Sequence, residues 1–257
     1  MSDNAQDTFI SHLIELRTRL IRAIIAVLVV FLCLVNWARD IYTLLAQPML
    51  AALPQGGHMI ATDVAGAFFV PMKVTLMVAF LIALPYVLYQ AWSFVAPGLY
   101  ASERKLTAPL LMASVVLFFI GMSFAFFVVF PTVFAFVNKF APDGVSVMTD
   151  IDKYLSFVMT TFLAFGLTFE VPVVVVVLVK TGLVSVARLK EIRPYVIVGA
   201  FVVGAIFTPP DVLSQFLMAL PLCLLYELGI LVAGFISKPA GADSSTSTSL
   251  TTGDTGK

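Results

Sequence analysis

Charge is what this chain has least of. Only 12% of its 257 residues are charged, where a soluble domain carries about 25%. The 15 lysines and arginines offset 15 acids, so no basic surface for nucleic acid is expected. Cysteine is scarce too: Cys33 and Cys223 both sit in apolar runs, where they read as small hydrophobes and exclude a disulfide framework. Two isolated histidines, His12 and His58, make no metal site. The chain lacks a Gly-rich phosphate loop, a His-Glu-x-x-His helix, and a nucleophile with a base at useful spacing. An enzyme is therefore the weakest functional class, and no cofactor is expected. Without a nucleotide motif, uphill work must draw on an external gradient. The polar first eight residues lack a small-residue cleavage site, so a removable signal peptide is not expected.

What is present is apolar: 60% of the residues are hydrophobic. Apolar segments run at about 21–37, 74–95, 106–137, 154–179, 195–207 and 212–236. They read as six membrane helices, since only helices satisfy their own backbone in lipid. The expected fold is all-α, a polytopic membrane domain over 1–237 followed by a disordered cytoplasmic tail over 238–257. An even count puts both termini on one side. Arg17, Arg19, Arg22, Arg104, Lys105, Lys180, Arg188, Lys190, Arg193, Lys238 and Lys257 fall there, against Arg39, Lys139 and Lys153 opposite, with Lys73 near the outer end of the second span. Positive charge collects inside, so the termini are expected to be cytoplasmic.

The spans are unequal. The third is too long to stand upright and carries Pro109 and Pro131, so a tilt, kink or projection is expected. The fifth and sixth are expected to be short; the fifth reaches only about 20 Å. It ends in Thr208-Pro209-Pro210-Asp211, which reads as a capped helix restart. A hairpin this short would thin the bilayer beside it. Between the first two spans, residues 38–68 form an external segment whose apolar part, 41–53, suits a surface-lying cap. No internal repeat appears, so the inverted-repeat logic of many small-solute transporters finds no support.

One carboxylate stands inside an apolar run. Glu170 lies ten residues before Lys180, about 15 Å from that end of the helix, and so near mid-depth of a core about 30 Å thick. A charge there costs roughly 2.5–3.5 kcal/mol on insertion scales. Pro172 frees the carbonyl of Thr168, so an irregular helix is expected within a turn of Glu170. Irregular backbone at depth belongs against protein or a wet cavity, which turns Glu170 inward.

At the cytoplasmic face, the opening helix carries Leu13, Leu16 and Leu20 on one stripe and is expected to lie on the membrane surface before turning in. Glu15 and Arg19 are four apart and can form an exposed pair worth a few tenths of a kcal/mol. The loop from Trp92 to Lys105 holds Trp92, Phe94 and Tyr100 at headgroup level, a Pro97-Gly98 turn, and Glu103 at the start of the next helix. Taken singly, each acid is as well explained by local structure as by function. Together, Glu15 and Glu103 put carboxylates beside aromatic surface on an otherwise basic face. That suits a ligand with arginines followed by an apolar stretch, because guanidinium pairs with carboxylate bidentately and lysine cannot.

The segments 12–20, 60–73, 94–105, 162–177 and 193–215, in order and at the expected spacing, resemble the TatC family of the twin-arginine protein translocase. The resemblance runs from about Phe9 to Ile236. It implies six spans, cytoplasmic termini in a bacterial inner membrane, binding of twin-arginine signal peptides of folded cargo, and transport driven by the proton-motive force. It also implies partnership with the single-span subunits TatA and TatB and with other copies of the chain. On that basis Glu15, Arg17, Phe94, Glu103 and Arg104 correspond to the signal-peptide site. Glu170, Thr208, Asp211 and Gln215 correspond to an intramembrane polar group, and Pro48 and Phe68 to external structural positions. The last span with the fifth resembles a docking face for partner helices. Lys105 departs from a frequent arginine but keeps the charge.

Two other readings compete. A proton-coupled small-solute transporter would use Glu170 and Glu227 as a relay, although Glu227 also reads as an interfacial acid. A structural scaffold would explain Ala200 and Gly204 at small-xxx-small spacing, but not the acidic cytoplasmic pair.

Overall fold

The computed structural model describes residues 3–51, 62–63, 65–95, 107–140, 150–207 and 212–236. Every regular element among them is helical. Helix α1 (Asp3–Leu34) leads through a 3₁₀ turn (Val35–Trp37) into α2 (Ala38–Ala51), and α3 (Gly66–Val95) runs back. Then come α4 (Thr107–Phe124), a π-helical turn (Ala125–Val129) and α5 (Phe130–Phe140). The broken span α6 (Ile151–Phe169) and α7 (Val171–Lys180) follows, then the short α8 (Val186–Glu191), α9 (Arg193–Phe207) and α10 (Val212–Ile236). Five stretches are long and apolar enough to cross a membrane: Leu13–Leu44, Phe68–Phe94, Ala108–Phe136, Ile151–Lys180 and Val212–Ile236. The 15-residue α9 is shorter.

Two expectations need correcting. The opening segment does not lie apart from the first span: α1 is one helix of 32 residues. It contains neither Gly nor Pro, so nothing in it favours a turn. The sixth span is not short either. α10 has 25 residues, about 37 Å at the helical rise, and Pro221 within it does not end it.

The third span is irregular, as its prolines lead one to expect. Pro131 has no N–H for the carbonyl of Phe127, and the π turn comes just before it. The Thr132 hydroxyl donates to the Val128 carbonyl at 2.6 Å, satisfying a group the turn disturbs. Glycine sets the approach of α4 to α6. A Cβ on Gly121 would stand 2.5 Å from the Phe165 carbonyl oxygen, and one on Gly166 would meet the Phe118 ring at 2.5 Å. Phe118 and Phe165 are both fully buried, so neither has room to yield.

At the end of the bundle where α2 lies, Ile41 and Tyr42 of α2 pack against Val70 and Val74 of α3 and Leu155 of α6. Asp150 caps α6, accepting from the backbone N–H groups of Asp152 (2.8 Å) and Lys153 (3.1 Å). It also accepts from the Thr62 hydroxyl. Lys73 Nζ reaches Asp152 at 2.6 Å. These contacts join the start of α3 to the start of α6.

Gly121→Ala and Gly166→Ala should each destabilise the folded protein by about 1–3 kcal/mol through overpacking. Gly199→Ala, whose added Cβ meets nothing within 4 Å, should be neutral or stabilising; detergent unfolding of the purified protein measures all three. The Asp150 cap should depend on pH. The Thr62 hydroxyl above all, then the Lys153 N–H, holds the Asp150 carboxyl below its ordinary value. A depressed acid stabilises above its unfolded pKa of about 3.9 and loses that contribution as pH falls through its folded value. Protection of the amides of residues 152 and 153, measured against their intrinsic exchange rates, should therefore persist at neutral pH and be lost only in stronger acid. Loss of protection already near pH 6 would exclude this cap.

Candidate functional site

The polar groups fall into separate clusters. Ile41 and Tyr42 meet the start of α3 at one end of the bundle, so the first half of α1 and the last turn of α3 share the opposite end. There Arg19 grips one oxygen of Glu15, with Nε at 2.9 Å and Nη2 at 2.6 Å from Oε1. Arg17 is exposed, while Phe94 is half-buried on the last turn of α3. Glu103, Arg104, Lys105 and the Pro97-Gly98 turn lie outside the described residues, as do Thr208, Asp211 and the tail 238–257. Pro48 falls within α2, with its side chain outside the description. Phe68 is exposed at the start of α3, its ring edge-on to Phe69 at 5.4 Å.

Glu170 occupies the break itself. It ends α6 and precedes α7, with Pro172 in the first turn of α7. Its N–H bonds to the Leu167 carbonyl at 3.1 Å and its carbonyl receives the Val174 N–H at 3.0 Å. The Thr168 hydroxyl returns to the Ala164 carbonyl. The irregular turn expected from Pro172 is thus present, and its backbone is satisfied locally. The side chain is 6% exposed, and its two carboxylate oxygens have no hydrogen-bond partner among the described residues. Ser114 is its polar neighbour, short of full hydrogen-bond geometry. The Ser114 Oγ in turn accepts from Trp92 Nε1 at 2.9 Å. Polar groups of α3 and α4 therefore bond to each other beside the break.

Gln215 lies elsewhere. Its amide donates to the Phe201 carbonyl at 2.9 Å and its stem packs on Gly204, which ties the first turn of α10 to α9. Gly229 abuts Pro172, so Gln215 stands fourteen residues, about 20 Å, earlier along α10 than the neighbour of the break. Beside Gln215 the exposed face of α9, including Val198, Val202 and Ile206, borders a shallow apolar groove of about 440 Å³.

Sequence reasoning missed the ion pair that anchors α9 to α10. Arg193 Nη2 meets Glu227 at 2.6 Å, with both side chains 42% exposed. Glu227, weighed above as a relay partner for Glu170, is engaged by a cation instead. The neighbouring Tyr226 hydroxyl donates to the Leu189 carbonyl at 2.8 Å, fastening α8. Nine residues of α10, about 13 Å, continue beyond Glu227 to Ile236. So α9 begins well short of the level where α10 ends. The pair is 34 residues apart in sequence, and the one hint was Arg193-Pro194 at the head of the short helix.

Long apolar helices, charge gathered at their ends and one buried carboxylate define a multi-pass helical membrane protein. Residues 11–221 match the family described as Sec-independent protein translocase protein (TatC), and the chain belongs to that family. It is 55% identical to the Sec-independent protein translocase protein TatC of Escherichia coli K12 over 235 residues, 91% of each chain. Identity is 51% to the Haemophilus influenzae protein of the same name, over 88% of each. For the Aquifex aeolicus protein it is 41%, over 85% of this chain and 91% of that one. A solved structure described as the twin arginine translocase receptor TatC superposes with a TM-score of 0.77 at 39% identity, covering 88% of this chain and all of that one. The chain is thus a translocase component of the Tat system rather than a member of a catalytic family.

Arg193→Ala and Glu227→Ala should each destabilise the hairpin, and the double-mutant cycle should return a coupling of about 0.5–1 kcal/mol, the upper part of the exposed-pair range. A coupling of zero would mean that the pair does not hold α9 in place.

Proposed function

We propose that the chain is the receptor subunit of a twin-arginine translocase in a bacterial inner membrane, with six spans and both termini cytoplasmic. It binds twin-arginine signal peptides of folded proteins through Glu15, Arg17, Phe94, Glu103 and Arg104. With TatA, TatB and further copies of itself it exports the cargo using the proton-motive force. The observation that carries the reading is 55% identity to a TatC protein along 91% of the chain, with Glu15 and Phe94 at one end of the bundle. Cation excess on the side of the termini supports the orientation. The exposed apolar face of α9 beside Gln215 suits a partner helix, and the high start of α9 suits a locally thinned bilayer. Glu170 serves as a buried polar group of the bundle interior. The relay of a small-solute transporter gains nothing from a Glu227 already paired with Arg193.

A photo-crosslinker at position 103 should label a bound signal peptide, and labelling should fall at least tenfold when both peptide arginines become lysines, since the bidentate fork is lost. Equal labelling by the lysine peptide would remove the carboxylates from recognition.

A further inference from the structure

Helix α3 buries opposite faces. Val70, Val74, Leu84 and Leu88 pack toward α4 and α6. At about 3.6 residues per turn, Thr75, Ala79, Ala83 and Gln90 lie on the other side, and all of them are buried. That side is under α1, which packs chiefly on α3. Ala79 and Ala83 suit a close crossing, and the Thr75 hydroxyl returns to the Pro71 carbonyl at 2.8 Å. Gln90 is the misfit. It is 5% exposed, and its Oε1 has no hydrogen-bond partner among the described residues. A buried acceptor in that state is costly, and an apolar side chain of similar size would fill the space without the cost. The glutamine therefore suits a donor that arrives from outside.

Its place limits what that donor can be. Phe94 lies four residues on, on the same side of the helix. Helical side chains lean toward the N-terminus, so the Phe94 ring leans over the turn that carries Gln90. The amide sits about 6 Å deeper than Phe94, one turn in. Trp92 turns away between them, to Ser114 of α4. The first half of α1, with Glu15, shares this end of the bundle. The ligand of the receptor reading is a pair of arginines followed by an apolar stretch. Its guanidiniums belong with carboxylates near the surface, because drawing a charge a turn deeper for one neutral acceptor is unfavourable. The start of the apolar stretch is different. Such a stretch enters lipid as a helix, and the first four N–H groups of a helix have no partner within it. Below the headgroups they need an acceptor, and a side-chain oxygen is what caps them at ordinary helix starts.

We infer, on the receptor reading, that Gln90 is a further recognition residue. Its amide oxygen accepts a backbone N–H from the first turn of the signal peptide's apolar helix, beneath a Phe94 ring that swings aside. The contact caps that helix and fixes its depth, which leaves the arginines toward Glu15.

The test uses the full chain in nanodiscs and a labelled synthetic peptide of two arginines followed by an apolar stretch. A further set of peptides carries one N-methyl group each, on each of the first four amides of that stretch in turn. One of the methylated peptides should bind the wild-type protein about tenfold more weakly, the scale of relieving one buried acceptor. Gln90→Leu should weaken the unmodified peptide about tenfold as well, and should then bind that methylated peptide within about twofold of the unmodified one, since two changes at one contact do not add. Thermal unfolding of peptide-free Gln90→Leu should occur no lower than in the wild type, because an unpaired acceptor has gone. Should the leucine variant fail to fold, Gln90→Met takes its place, and the methyl scan of the wild type stands by itself. Four equal methylated peptides, or a loss that persists unchanged in Gln90→Leu, overturns the inference while wild-type binding of the unmodified peptide leaves the receptor reading in place. Lowered stability with unchanged peptide affinity also overturns it and makes Gln90 a packing group. No wild-type binding of the unmodified peptide removes both.

Discussion

The contact on which the rest of the molecule depends is α10 laid along the broken α6–α7 span. Met218 packs into the cluster around Phe165 and Phe169, and Ile230 and Ala233 into the cluster of Val175 and Val176. Gly229 allows the closest approach: a Cβ there would stand 3.0 Å from both Pro172 Cα and Val175 Cβ. Once α10 is seated, it carries the short hairpin. Gln215 holds the second half of α9, Glu227 holds Arg193 at its start, and Tyr226 holds α8. None of these three polar contacts could form if α10 were displaced by a turn. In lipid, where helix association gains little from apolar burial alone, close approach at glycine and a few hydrogen bonds provide the specificity.

Breaking a span at mid-depth is costly unless its backbone is re-satisfied. The chain does this within a few residues, through the Leu167 carbonyl, the Val174 N–H and the Thr168 hydroxyl. The Glu170 side chain has no such relief, and the nearby Ser114 hydroxyl already accepts from Trp92. The nearby polar group on α4 is thereby committed to the last turns of α3, two residues from Phe94.

Much of this was legible in the residues. Apolar runs and the absence of charge revealed the spans, and Pro172 beside Glu170 announced the break, because both signals are local. The resemblance of five segments in order revealed the family. What could not be read was long-range. Arg193 and Glu227 each look like an interfacial charge until the hairpin brings them together across 34 positions. The approaches at Gly121, Gly166 and Gly229 depend on which helices cross, and single glycines in apolar helices look alike. The separate surface helix inferred from the leucine stripe failed for a simpler reason: amphipathicity without a breaker does not end a helix. α1 therefore continues into the span.

The Glu15–Arg19 pair shows how a bland local explanation and a functional one can both hold. An intrahelical pair of this kind stabilises by only a few tenths of a kcal/mol, and here both nitrogens of Arg19 crowd onto a single oxygen, leaving the fork unused. A guanidinium that takes the carboxylate through two parallel bonds, one to each oxygen, makes the fork contact that Arg19 leaves unused. On the proposed reading, the resting pair keeps Glu15 oriented on an otherwise basic face and yields to a ligand that brings the same chemistry in better geometry. A lysine ligand offers only a point charge and gains no such advantage over the residue it must displace.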